Sequence, residues 1–227
     1  MSSPARTLPA PVVLAVIGAG AFVTALDQTV VVTALPSVMF DLRIPATAEG
    51  LDRASWIITA YLLGYTAIMP LVARLGDVYG YSRVYQASLV VFSIGTALVA
   101  LSPSLEWMVG TRVVQAVGGG ATVPIGLAIA STTLTPRQRG LALAIVIAAA
   151  ETGCMLGPAY GGAIIELADW RWIFWLNVPQ GAVLFLALVW LPNQANRQGR
   201  VDYLGGVILV ATLVLLSLAL SRGSLFT

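Results

Sequence analysis

Three ionisable side chains lie inside long apolar stretches of this sequence: Asp27, Arg112 and Glu151. An ionisable group within a membrane span is costly, so it usually faces protein or water and marks a substrate or proton pathway. A carboxylate there binds or releases a proton according to the water and charges around it. The pattern predicts a proton-responsive site. A buried ion pair that only fixes helix packing is the alternative, and the residues leave open which carboxylate takes the proton.

The estimated depths of these groups in a membrane predict which of them meet. With about 1.5 Å of rise per residue, Asp27 lies roughly 12 Å and Arg112 roughly 8 Å below the same surface. We therefore expect these two side chains to be linked directly or through water. Glu151 lies near the midplane, where we expect it to face protein or water and to favour cationic substrates.

Small and polar residues accompany the carboxylate along one face of the first apolar stretch. Gly20, Thr24, Asp27 and Val31 follow i, i+4, i+7 and i+11 spacing, which places them on one side of a helix. We expect this stripe to line an aqueous cavity rather than to face lipid.

The composition of the 227-residue chain indicates an integral membrane protein: hydrophobic residues make up 58% and charged residues 10%, against roughly 25% charged residues in a soluble domain. The sequence has no His, which excludes Ser-His-Asp catalysis and His-ligated metal sites. The single cysteine, Cys154, excludes an internal disulfide. The net charge is +2 and no G-x-x-x-x-G-K-[ST] motif is present, so we expect no enzyme, metal, cofactor or nucleic-acid partner.

Seven apolar windows are long enough to cross a bilayer, which needs about 20 helical residues. They cover residues 11–35, 55–73, 84–102, 107–133, 140–165, 173–192 and 203–221. Prolines are expected at or just past the ends of these helices: Pro36, Pro45, Pro103, Pro136 and Pro192. With a cytoplasmic N-terminus, seven arginines lie inside and four outside, so the positive-inside rule favours that orientation.

The fifth window carries a pattern that resembles a known family. Residues Gly153, Gly157, Pro158, Gly161 and Gly162 match the G-x-x-x-G-P-x-x-G-G antiporter motif of the major facilitator superfamily at every specified position. Three of these glycines recur every four residues and predict a smooth ridge for close helix contact. The proline predicts a bend, because it cannot donate to the carbonyl four residues earlier.

Other blocks resemble the same superfamily in the expected order. Leu26–Pro36 is similar to the first-span motif of the fourteen-span drug:proton antiporters (EmrB/QacA type), with departures at Val32 and Thr33. Similar likenesses lie at Trp56–Leu63 and at Asp169–Pro179. In the fourth window, Arg112, Gln115 and Gly118 match R-x-x-Q-G-x-G, with Ala116 in place of a glycine.

The connection after the second window resembles the superfamily motif G-x-L-A-D-R-x-G-R-K-R. Asp77, Gly80 and Arg83 match this motif, whereas Ala73, Val78, Tyr81 and Ser82 do not. The resemblance implies that Gly76, Asp77, Gly80 and Arg83 form a cytoplasmic gate. A cap on the third helix by Asp77 is the alternative.

For the remaining motifs the resemblance implies transport roles. Asp27 belongs to the substrate or proton pathway, Arg112 assists proton transfer, and the glycine ridge packs two bundles together and limits leak. Ordinary close packing is the alternative for the ridge. Glu151 belongs to none of the motifs, so its role is specific to this sequence.

The implied fold is all-α: a six-helix bundle of two inverted three-helix repeats plus a seventh transmembrane helix. We expect a cytoplasmic N-terminus at 1–10, the bundle at 11–192, a cytoplasmic loop at 193–202, the seventh helix at 203–221 and a truncated end at 222–227. The seventh helix would begin a second part of the protein, so we expect a missing C-terminal half and no transport by this chain alone.

The implied function is proton-driven efflux of small lipophilic or cationic compounds across the inner membrane, as in multidrug export and antibiotic resistance. The proton gradient would supply the energy, and the partners would be the substrate, protons and the lipid bilayer. Two alternatives stay open: another major facilitator carrier for a metabolite or sugar, and a seven-helix receptor.

Overall fold

A computed structural model describes residues 9–189 and 202–223, and in these ranges the chain forms seven α-helices and no strand. They are α1 (Ala10–Asp41), α2 (Ala48–Tyr79), α3 (Tyr81–Ala100), α4 (Leu105–Thr133), α5 (Pro136–Leu167), α6 (Arg171–Leu188) and α7 (Tyr203–Gly223). The first six are long and apolar enough to cross a membrane, whereas the apolar part of α7 is shorter, Leu204–Leu216. The predicted all-α membrane fold is confirmed, and most helices extend beyond the predicted windows.

Local side chains determine where several helices begin. The Thr47 hydroxyl accepts a hydrogen bond from Gly50 N at 3.1 Å and starts α2, and Ser104 accepts from Trp107 N at 3.2 Å and starts α4. Between α2 and α3, Gly80 has a φ of 95°, in the region that favours glycine. Gly80 therefore allows one helix to follow the other with a single intervening residue.

The prediction that Pro36 ends the first helix is wrong. Helix α1 contains Pro36 and continues to Asp41. A proline in a helix removes one hydrogen bond, but beyond it Val38 is buried in an apolar cluster and Met39 is buried as well. Packing of Val38 against its neighbours therefore holds the last part of α1 in the bundle beyond the proline.

Of the other prolines predicted at helix ends, those that the structure describes follow the prediction. Pro45 and Pro103 lie between helices, and Pro136 opens α5. Pro192, the loop at 193–201, most of the N-terminal segment and the end of the chain lie outside the described residues, so the predictions for them stay predictions.

The helix contacts form matching pairs. Helix α1 packs along α5 as α4 packs along α2, and α1 contacts α6 as α4 contacts α3. Helices α1 and α4 also contact each other, as do α3 and α6. Within the six helices α1–α6, each contact therefore has a counterpart when α4–α6 is placed on α1–α3, which is the pattern of two repeated three-helix units. Helix α7 lies against α2.

Two large apolar clusters and one small one fill the bundle. One large cluster includes Ile17, Tyr85 and Ile125, and the other large cluster includes Val30, Met108 and Phe174. On α1 and on α4, a polar stretch separates the residues of one cluster from those of the other. The bundle therefore encloses a layer of polar side chains between its two apolar halves.

At one end of the bundle, Arg171 ties three helices together. Its Nη1 donates to Asp41 Oδ2 at 2.6 Å, and its Nη2 donates to the Ser102 carbonyl at 3.3 Å. Its guanidinium lies 4.4 Å from the ring centre of Trp170. The start of α6 is thereby held to the ends of α1 and α3, which fixes the position of α6 within the bundle.

Candidate functional site

The enclosed polar layer is built around an ion pair. Arg112 Nη1 donates to Asp27 Oδ2 at 2.8 Å, and both side chains are 0% exposed. Asp27 is on α1 and Arg112 on α4, so the pair joins the first helices of the two repeats. The predicted link between these residues is confirmed, and it is direct.

Two amide side chains also bond to this pair. Asn177 Nδ2, from α6, donates to Asp27 Oδ1 at 2.7 Å. Gln115 Oε1 accepts from Arg112 Nη1 at 2.7 Å. Each carboxylate oxygen of Asp27 therefore has a donor, as a buried charge requires.

Aromatic rings cover the guanidinium. The Cζ atom of Arg112 lies 3.9 Å from the ring centre of Tyr61 and 5.9 Å from that of Phe174. Such faces attract a cation, more strongly when water is excluded. One turn away, the hydroxyls of Thr24 and Thr122 lie 2.7 Å apart and join α1 to α4 again.

The cation retains unused hydrogen-bonding capacity. Within the described part of the chain, Nε and Nη2 of Arg112 have no hydrogen-bond partner, although both atoms are buried. Breaking a buried ion pair by removing one partner costs about 3–5 kcal/mol. A change in the charge of Asp27 would therefore act strongly on Arg112.

The expectation that the Asp27 stripe lines an aqueous cavity is wrong for this structure. All four stripe residues are buried: Gly20, Thr24, Asp27 and Val31. A Cβ on Gly20 would meet the Tyr85 side chain, so this face of α1 is covered by protein. Small residues here allow other helices to approach, which spacing alone does not distinguish from a cavity wall.

The glycine ridge of α5 packs on α1, inside the same bundle. A Cβ on Gly153 would meet the Phe22 carbonyl, one on Gly157 would meet the Thr29 hydroxyl, and one on Gly161 would lie 3.1 Å from the Val30 carbonyl. Gly162 faces away, with no atom within 4 Å of its Cβ position. The described contacts of the three ridge glycines therefore lie within one bundle.

The fourth-helix motif has a similar packing role. A Cβ on Gly118 would meet backbone atoms of Phe92 and Ser88 on α3. Gln115 is buried and joins the ion pair. Of this motif, Arg112 and Gln115 belong to the polar layer, and Gly118 allows α3 and α4 to approach.

The residues predicted to form a gate do not all meet. The Tyr81 hydroxyl donates to Asp77 Oδ1 at 2.5 Å, and Arg74 Nη1 lies 3.8 Å from Asp77 Oδ2. Among the described residues, Arg83 forms no hydrogen bond or ion pair with Asp77; it lines a cavity of about 440 Å³ together with Tyr79. No side chain caps α3, so Asp77 does not cap that helix.

Glu151 is separate from the polar layer. Its side chain is exposed on α5, and the described residues give it no hydrogen bond or ion pair.

The sequence analysis did not predict Asn177 as a site residue, because it searched the apolar helices for charged residues and overlooked this uncharged amide. That amide was the available signal.

Comparisons with known proteins identify the family. Residues 17–225 match the family model of the Major Facilitator Superfamily. A probable triacylglyceride transporter of Mycobacterium leprae is 38% identical over 204 residues, which cover 86% of this chain and 40% of that protein. Multidrug resistance protein 3 of Bacillus subtilis is 31% identical over 206 residues, covering 90% of this chain and 39% of that protein.

Solved structures show the same fold. The proton:xylose symporter XylE matches with a TM-score of 0.73 at 14% identity, over 81% of this chain and 45% of that chain. The human organic anion transporter MFSD10 matches with a TM-score of 0.65 at 20% identity, over 92% of this chain and 55% of that chain. The chain spans about two-fifths of the length of the curated relatives it matches. Since the family model covers most of its residues, this chain belongs to the major facilitator superfamily.

Proposed function

We propose that this chain forms one six-helix half of a proton-driven antiporter that exports small lipophilic or cationic compounds. The observation that carries the proposal is the enclosed Asp27–Arg112 pair, which has side-chain contacts on α1, α4 and α6. An ionisable pair inside a membrane bundle is costly and is typical of proton and substrate pathways. One relative named as a probable triacylglyceride transporter and one named as a multidrug resistance protein support the proposed export of such compounds.

In the proposed mechanism, proton binding at Asp27 neutralises the charge that holds Arg112. The freed guanidinium then rearranges with its α4 neighbours, and loss of the proton restores the pair. The proton gradient supplies the energy, and neither a cofactor nor a metal takes part. Movement of one bundle against a second would convert this local change into alternating access.

The second bundle is part of the proposal. We place it in the portion of the relatives that this chain does not match, since the chain spans about two-fifths of their length. We further propose an inner-membrane location with a cytoplasmic N-terminus. The connection that carries Gly76, Asp77, Gly80 and Arg83 would then lie on the cytoplasmic side and act as a gate.

Two substrate classes remain candidates because the relatives differ. The Bacillus subtilis protein is named for multidrug resistance. The Mycobacterium leprae protein and one of Mycobacterium tuberculosis, 39% identical over 196 residues, are named triacylglyceride transporters. We favour amphiphilic drugs as substrates and keep neutral lipids as the second candidate.

The test is transport by the full-length protein in vesicles with an imposed proton gradient. A panel of cationic dyes, neutral dyes and a fluorescent triacylglycerol is loaded, and efflux is compared with and without an uncoupler. Uncoupler-sensitive efflux of dyes supports drug antiport, and efflux of the lipid alone supports the second candidate. Transport that is unchanged when the gradient is collapsed would refute proton coupling.

A further inference from the structure

The proline in α5 leaves one backbone acceptor without its usual donor. In an α-helix the N–H of residue i donates to the carbonyl of residue i−4, and proline has no N–H. Pro158 lies inside α5, so the carbonyl of Cys154 lacks the N–H donor four residues further along its own helix. In an apolar environment an unsatisfied carbonyl is costly.

A side chain from the neighbouring helix supplies that donor. The Thr29 hydroxyl of α1 donates to the Cys154 carbonyl at 2.9 Å. Its alternative acceptor, the Leu26 carbonyl of its own helix, is at 3.4 Å. The hydroxyl is therefore directed across the interface and takes the place of the missing N–H of residue 158.

The glycine ridge makes room for this bond. A Cβ on Gly157 would meet Thr29 Oγ1, so any larger residue at position 157 would displace the hydroxyl. Gly157 and Pro158 are thus adjacent residues with complementary effects. One opens space for the hydroxyl, and the other leaves the carbonyl that accepts from it.

The bond lies close to the enclosed ion pair. Thr29 is two residues from Asp27, and at about 100° per residue the two side chains leave α1 roughly 160° apart. Asp27 contacts α4 and α6, whereas Thr29 contacts α5. A bond on the opposite side of α1 restricts rotation of the helix and so helps to set where Asp27 points.

We infer that Thr29 is a positioning residue for Asp27: its hydroxyl replaces the backbone donor that Pro158 lacks and holds α1 against α5 at this point. The structural part of this inference is independent of transport. Its effect on coupling rests on the function proposed above.

Cys154 allows the bond to be observed directly. It is the one cysteine among the 227 residues, so cysteine labelled with ¹³C at the carbonyl gives a single shifted amide I band in infrared spectra of the chain in bilayers. Loss of the hydrogen bond in Thr29→Val should move this band to higher frequency. Thr29→Ser should keep the wild-type frequency.

Thr33 provides a matched control one turn along α1. Its hydroxyl donates to the Val30 carbonyl of its own helix at 2.9 Å. Thr33→Val removes the same group from the same helix face and should leave the labelled band unchanged. An unshifted band in Thr29→Val, or an equal shift in both valine variants, would overturn the inference.

Replacement of the proline tests the same bond from the acceptor side. Pro158→Ala gives Cys154 a donor from its own helix, so adding Thr29→Val should then shift the band little. If Thr29→Val alone fails to insert, the double variant Thr29→Val/Pro158→Ala should insert again. If the double variant shows the full shift, or still fails to insert, the Thr29 hydroxyl does not replace the N–H that Pro158 lacks.

Transport by the full-length protein tests the positioning role. The free energy of a hydrogen bond between two membrane helices corresponds to a roughly three- to twentyfold change in an equilibrium constant. We expect Thr29→Val to lower maximal proton-driven flux by a factor in that range with little change in the substrate concentration at half-maximal flux, and Thr29→Ser to restore it. A shifted infrared band with unchanged flux would show that the hydrogen bond exists but that Thr29 does not act as a positioning residue for transport. Absence of proton-driven flux in the wild type would instead refute the proposed function.

Discussion

Asn177 donates from Nδ2 to Oδ1 of Asp27 at 2.7 Å, although 150 positions separate the two residues in the sequence. Arg112 holds the other oxygen of the same carboxylate. Asp27 is therefore the point at which α1, α4 and α6 are joined by side chains, and a change in its charge acts on two other helices at once.

Replacement of Asp27 by Asn is expected to abolish proton-linked transport by the full-length protein while leaving membrane insertion intact. The amide cannot bind or release a proton in the physiological range, and it keeps a similar size. The measurement is uncoupler-sensitive dye efflux from vesicles. Asp52→Asn, which changes an exposed carboxylate at the start of α2, is the control and should transport normally. Normal proton-coupled efflux by Asp27→Asn would remove Asp27 from the pathway.

Replacement of Arg112 by Gln is expected to destabilise the bundle by about 3–5 kcal/mol, since it leaves the carboxylate of Asp27 buried without its cation. The double variant Asp27→Asn/Arg112→Gln should lose less free energy of unfolding than the two single variants lose together, because it removes both charges. The free energy of unfolding in mixed micelles, followed by circular dichroism, measures both. Additive losses would indicate that the two side chains do not interact.

The glycines of α5 offer a matched pair of substitutions, one in the ridge and one outside it. Gly157→Ala places a Cβ against the Thr29 hydroxyl and 2.9 Å from the Leu26 carbonyl, and it should destabilise the bundle by about 1–3 kcal/mol. Gly162→Ala meets no atom within 4 Å and should be neutral or stabilise, since alanine favours helix. Unfolding of the two variants is compared in the same micelles. Equal stability would show that the ridge does not pack closely on α1.

Glu151 is expected to select substrates by charge, since an exposed carboxylate near the membrane midplane attracts cations. Glu151→Gln in the full-length protein should reduce efflux of cationic dyes relative to neutral dyes of similar size. Glu166→Gln, which alters an exposed carboxylate at the end of the same helix, should leave the ratio unchanged. An unaltered ratio in Glu151→Gln would refute the selection.

Residues 1–227 reconstituted alone are expected to give no saturable proton-driven flux, because alternating access needs two bundles that move against each other. Vesicles that contain the full-length protein provide the positive control, with the same dye and gradient. Robust, saturable flux by the 227-residue chain would contradict the two-bundle proposal.

The class of protein and its helices were predictable from the sequence. Hydropathy over about 20 residues is a local property, so the windows coincide with α1 to α7 even though their ends differ. The pairing of Asp27 with Arg112 was also predictable, because depth along a helix follows from residue number at a fixed rise. The motif residues identified the superfamily because each motif is a short pattern of residues that are close together in the sequence.

The tertiary structure alone decided which faces meet. Spacing placed Gly20, Thr24 and Asp27 on one side of α1, but it did not predict which part of the protein packs on that side. The structure shows that this side is covered by protein. Likewise, it decided that Thr29 donates to the Cys154 carbonyl and that Tyr81 donates to Asp77. The rotation of each helix about its axis depends on the fit of side chains from several helices at once. A sequence pattern therefore predicts that a face is buried, whereas the packing of the whole bundle determines its partner.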